Sequence, residues 1–191
     1  VVLLPIFADR VIGGGATTLG LLTAASGAGA VIGGIYLASR RTVVGLGRVI
    51  GIGAGLFGAT LIAFAFANRL WLAMLLLPVA GYGMMTVMAG CNTALQTLVD
   101  DDKRGRVMAF FTMAFMGTAP IGNLIAGFLA EHLGVQLTVA IGGGACLVSA
   151  CWFAMTLPAI RAASRPVLIE RGVIAAEAVL DTADRELTSG G

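Results

Sequence analysis

The chain is 191 residues long, 58% hydrophobic and 12% charged, with 28 glycines and a mean hydropathy of +0.96. A soluble domain carries about 25% charged residues, and a chain of this size has no interior able to hide so much apolar side chain, so a soluble globular protein is excluded. The formal charge of +2 is too small to imply nucleic acid as a partner. What remains is an all-α polytopic helix bundle with the lipid bilayer as its solvent.

Taken in order, residues 1–8 read as the last turns of a partial span. With no initiator Met and no signal-peptide pattern, the chain reads as a fragment whose N-terminal part is missing. The run 17–38 carries no charge over 22 residues, and a spanning helix needs about 20. Further spans are expected at 49–67, at 70–98 with Trp71 at its interface, at 107–130 and at 135–157, the last closed by Pro158. The bundle therefore covers 1–157, and 158–191 forms a charged tail.

Loops alternate in charge. Arg40, Arg41, Arg48, Lys103, Arg104, Arg106, Arg161, Arg165 and Arg171 fall on one side, and only Arg10 and Arg69 on the other. By the positive-inside rule the first set, with the C-terminus, faces the cytoplasm. An inner, plasma-membrane location follows.

Three apparent sites dissolve on inspection. Gly53, Gly55 and Gly58 fit the spacing of a dinucleotide loop, but that loop needs a preceding strand, and these glycines lie inside a spanning run. Gly29/Gly33, Gly47/Gly51 and Gly51/Gly55 are read instead as helix contacts at four-residue spacing. Cys91, Cys146 and Cys151 sit in apolar runs without metal-ligand spacing, so they are packing thiols, and neither metal nor cofactor is expected. Ser26 and His132 lie at different depths, about 15 Å apart at 1.5 Å per residue, so no hydrolytic pair forms and an enzyme is not expected.

The informative stretch is 92–127. A compact cluster, Asp100, Asp101, Asp102, Lys103, Arg104, Gly105 and Arg106, separates two apolar runs. Its arginines either pair with carboxylates and helix ends in a state-dependent cytoplasmic gate, together with Arg40 and Arg41, or anchor topology while Asp102 caps the following helix. Asn92 and Gln96, four apart, share a helix face as interhelical hydrogen bonders or as part of that gate. Pro120, between Gly117 and Gly122, and Pro78, near Gly81 and Gly83, are hinge or packing kinks. Tyr82, Met85 and Thr118 are candidates to line a substrate cavity.

The arginine-bearing turns, the Arg104–Gly105–Arg106 triplet and the run 117–134 together resemble the C-terminal half of the major facilitator superfamily. More narrowly, 19–40 and 92–127 are similar to the branch of bacterial exporters that includes the enterobactin exporter and the transmembrane secretion effectors. The resemblance implies a six-helix half of a twelve-helix fold, with 1–8 ending helix seven, and a substrate site near the midplane against the missing N-terminal six-helix half. It implies secondary active export of small amphipathic, drug- or siderophore-like molecules by alternating access. No complete span contains an acidic residue, so either the coupling residues, with protons as the candidate ion, lie in the missing part or transport is driven by something else. The competing reading is a non-transporting membrane scaffold or complex subunit, which would be packed solid where a transporter holds a cavity.

Overall fold

The computed structural model describes residues 5, 15–40, 43, 45–67 and 69–170. Arg10, Arg41, Asn68, residues 171–191 and all but one residue of the expected partial span lie outside them. Within the described residues there are five α-helices and no strand: α1 Ala16–Ser39, α2 Leu46–Ala65, α3 Leu70–Leu98, α4 Asp101–Leu133 and α5 Val135–Glu170. Each is long and apolar enough to cross a membrane. Even the shortest, α2 with 20 residues, reaches about 30 Å, the thickness of the hydrocarbon core.

The connections are minimal. Gly134 alone separates α4 from α5, at φ 86 and ψ 157. That region is open essentially to glycine only, so the sharp reversal needs this residue. Gly45 starts α2 from the left-handed region at φ 79.

Helix ends differ from the sequence reading, most of all at Pro158 and at the charged turn. The helix expected to close at Pro158 runs through it to Glu170. A proline removes only its own N–H and strains one carbonyl, and in a membrane helix such a break is repaired locally instead of ending the element. The charged turn expected over 99–106 shrinks to Val99 and Asp100, with Asp101–Arg106 already helical. Asp102 is therefore not the cap. Asp100 holds the N-cap position, and Asp101 and Asp102 occupy the first turn, where carboxylates meet the positive end of the helix dipole.

Glycines set how the helices meet. A Cβ added at Gly29 would lie 1.8 Å from the Pro78 carbonyl oxygen, and one at Gly81 would lie 2.0 Å from that of Ser26, so α1 and α3 cross with their backbones touching. Gly53 and Gly83 make the same contact between α2 and α3, and Gly58 and Gly143 between α2 and α5, each glycine facing its partner's carbonyl. Lipid tails are as apolar as leucine, so helices associate through this close packing and not through water exclusion. Of the glycines expected to form contacts, Gly47 and Gly51 meet Leu157 and Phe153 of α5, whereas Gly55 has nothing within 4 Å.

These contacts fix direction and register. Gly29 beside Pro78 and Gly33 beside Tyr82 make α1 parallel to α3, with α2 antiparallel to both. At one end Leu22, Phe64, Ala73, Leu77 and Val135 form a core, with Leu19 and Ala130 packed against it. At the other end the helices finish at different heights. Leu46, which opens α2, lies near Gly90, so the remaining eight residues of α3 to Leu98 project about 12 Å past the start of α2.

Helix α4 stands apart. It has no buried residue and touches α3 and α5 only slightly. Half-buried residues occur near its two ends, at 104–111 and 126–130, while every residue from 112 to 125 is exposed. Both ends are tethered by short connections and the middle is bare.

Candidate functional site

The charged cluster resolves into an elbow between α3 and α4. Arg104 donates from Nε to the Gln96 carbonyl at 3.0 Å, and from its terminal nitrogen to the Val99 carbonyl at 3.4 Å and to the Asp101 carboxylate. Gln96 lies in the last turn of α3 and Val99 is its C-cap. A guanidinium placed there satisfies orphan carbonyls and meets the negative end of the helix dipole. Arg104 thus fastens the end of one helix to the start of the next. Lys103 pairs with Asp100 at 3.7 Å with both side chains exposed, a contact of little energetic weight. Arg106 is exposed and has no partner among the described residues. Gly105 faces open space.

Asn92 and Gln96 do meet, but each other: Gln96 Nε2 donates to Asn92 Oδ1 at 3.0 Å along one helix. The four-residue spacing brings them together as read, with the partner on the same element rather than across an interface.

A second cluster joins α1 to α3. Arg40, the C-cap of α1, donates to the Tyr36 hydroxyl at 3.3 Å, and the Tyr36 and Tyr82 rings lie 5.9 Å apart, tilted by 48°. Thr86, almost fully buried, donates to the Tyr82 carbonyl at 2.7 Å. The Met85 methyl lies 3.7 Å from where a Cβ on Gly34 would stand. Tyr82 and Met85 are therefore placed towards α1. The sequence reading missed Tyr36, although a tyrosine four residues before Arg40 puts both on one helix face. Arg41 lies outside the described residues.

Thr118 stands on α4, where its hydroxyl donates to the Ala114 and Phe115 carbonyls at 2.7 and 3.2 Å. Pro78 and Pro120 are both inside their helices, in opposite surroundings. The Pro78 backbone is pressed against Gly29. Around Pro120, Gly117 and Gly122 have nothing within 4 Å. A bend at Pro78 would be locked by α1, whereas one at Pro120 is free to change.

Five long apolar helices, four of them fastened to one another by glycine crossings, define a multi-pass α-helical membrane protein. The chain belongs to the transmembrane secretion effector family, a branch of the major facilitator superfamily, whose family model matches residues 1–179. No curated protein and no solved structure matches the sequence.

Proposed function

We propose that this chain works in a secondary active exporter of small amphipathic molecules, moved by alternating access with protons as the coupling ion. The observation that carries the reading is the contrast within the bundle. Four helices are locked backbone to backbone, while α4 is exposed over 112–125 around Pro120. Alternating access requires a bundle that moves as a body and a surface that can part from its neighbour. In this reading a second helix bundle of the same protein meets the first on the α4 side, and the Tyr36–Tyr82–Met85 edge of α1 and α3 and the Thr118 region of α4 border the route. The arginine distribution supports a plasma-membrane protein with the α3–α4 elbow and the C-terminus in the cytoplasm.

Cells expressing the full-length gene product, loaded with a panel of uncharged and cationic lipophilic dyes, should lose at least one dye faster than vector controls. A protonophore should abolish the difference. Equal retention across the panel, with the protein present in the membrane, would leave the scaffold reading in its place. Orientation is tested separately: a cysteine at Ser39 should react with an impermeant thiol reagent only from the cytoplasmic side, and one at Glu131 only from outside. The reverse pattern would overturn the orientation.

A further inference from the structure

Helices α2 and α4 start at the same end of the bundle with opposite charge. Asp100, Asp101 and Asp102 open α4. Gly45 opens α2, with no capping side chain and no acidic residue in the first turn, and arginines gather around it instead. A Cβ on Gly45 would stand 3.7 Å from a terminal nitrogen of Arg40. Arg48, in the first turn of α2, is exposed and has no side-chain partner among the described residues. Arg161 arrives from α5. Phe153 and Leu157 of that helix pack on Gly51 and Gly47, and Arg161 continues the same four-residue series one turn, about 6 Å, further out. It is exposed at the level of the chain entering α2.

The three helices carry no acid to balance this charge. No acidic residue occurs in α1 or α2, and α5 holds none before Glu170, about 13 Å past Arg161 along the axis. Asp100 and Asp101, on the elbow, pair with Lys103 and Arg104. Cations at the start of a helix also meet the positive end of its dipole, so an anion at this corner is favoured twice over.

Below Arg48, α2 presents a strip of hydrocarbon. At 100° per residue, Ile52, Gly55 and Ala59 lie within about 40° of Arg48, beside the glycines that meet α5 and turned away from α3. Ile52 is 61% exposed, Ala59 is exposed, and Gly55 has nothing within 4 Å. Because α2 is only just long enough to cross the hydrocarbon core, Arg48 stands at headgroup depth and the strip at acyl-chain depth.

We infer that this corner binds one phospholipid with an anionic headgroup, its phosphate held by Arg48 and Arg161 and an acyl chain lying over Ile52, Gly55 and Ala59. The inference is independent of the export reading. A guanidinium can take two phosphate oxygens at once, and basic pockets between membrane helices suit such headgroups. A free phosphate would meet the arginines but leave the strip unused. The lipid would fasten α2 to α5 at Arg48, about 15 Å along the helix from their crossing at Gly58 and Gly143.

The test measures the thermal midpoint of the detergent-purified full-length gene product with added dioleoylphosphatidylglycerol, dioleoylphosphatidylcholine or inorganic phosphate. A ligand that binds only the folded state raises the midpoint, so phosphatidylglycerol should raise it by several degrees and the other two should not. The double variant Arg48→Gln/Arg161→Gln should lose more than half of that rise, and Arg48→Lys/Arg161→Lys should keep most of it. Arg106→Gln, at the same end on the elbow, should keep all of it. Gly55→Leu fills the strip without altering charge and should also reduce the rise. Insertion of each variant is checked by labelling a cysteine at Ser39 from the cytoplasmic side.

An undiminished rise in the correctly inserted double Gln variant overturns the inference, as does an equal loss in Arg106→Gln, which would make the effect one of general surface charge. A rise of the same size with inorganic phosphate would make this a site for free anions, and one with phosphatidylcholine would remove the role of headgroup charge. Should the double Gln variant fail to insert, Gly55→Leu decides: an undiminished rise there overturns the inference.

Discussion

Gly29→Ala is expected to prevent the bundle from assembling. The added methyl would stand 1.8 Å from the Pro78 carbonyl oxygen and 2.5 Å from its carbon, where no side chain can turn aside. Helices α1 and α3 would have to separate by more than an ångström along their contact, at a cost above the roughly 1–3 kcal/mol of ordinary overpacking. Gly81→Ala, 2.0 Å from the Ser26 oxygen, should behave alike. Gly55→Ala is the matched control. It lies in α2 with nothing within 4 Å, so it should be neutral, or stabilising by up to about 1 kcal/mol through helix propensity. Size-exclusion profiles of detergent-extracted protein after a temperature series separate the outcomes. Survival of Gly29→Ala at the wild-type midpoint would show that the crossing is not as close as described.

The second large effect is expected at the elbow, where two neighbouring arginines should behave differently. Arg104→Gln loses the donations to the Gln96 and Val99 carbonyls and the pairing with Asp101, about 1–2 kcal/mol of local stability for a partly exposed helix end. Arg104→Lys should recover less than half of it, because an ammonium is a point charge and cannot reach two carbonyls and a carboxylate in one plane. Arg106→Gln removes no described interaction and should leave thermal stability unchanged. Any loss of export it causes then belongs to a gate and not to folding. Midpoints from thermal extraction, with dye efflux measured on the same variants, decide the matter. Equal destabilisation by the two Gln variants would remove the elbow assignment.

The helical class was legible because 22 uncharged residues in a row can be little else than a spanning helix. Family membership was legible in the order of the arginine-bearing turns and the 117–134 run. Helix ends were not, for physical reasons that differ from place to place. Asp101–Arg106 reads as a turn because charge usually marks solvent, yet acidic residues in a first turn favour a helix. Pro158 reads as a stop because in water a broken backbone bond finds a new partner outside the helix, and in lipid it does not. Four-residue spacing identified Gly29 and Gly33 as contacts but also promoted Gly55, since a helix presents such pairs on every side and only the neighbours' positions decide which are used. The same limit applies to Tyr82 and Thr118. Sequence can name polar residues in apolar runs, but that Tyr82 meets Tyr36 while Thr118 bonds only its own helix depends on the crossing of α1 with α3 and on the isolation of α4.

The division between locked and bare helices also bears on how such a protein changes over generations. At the crossings a single extra carbon would run into the facing backbone, so Gly29, Gly58, Gly81, Gly83 and Gly143 leave selection almost no choice. From 112 to 125 every residue is exposed, and a new residue there can be tried without dismantling the architecture. Drift would therefore accumulate on the one helix that the bundle leaves exposed, and lineages could diverge there while inheriting the same frame.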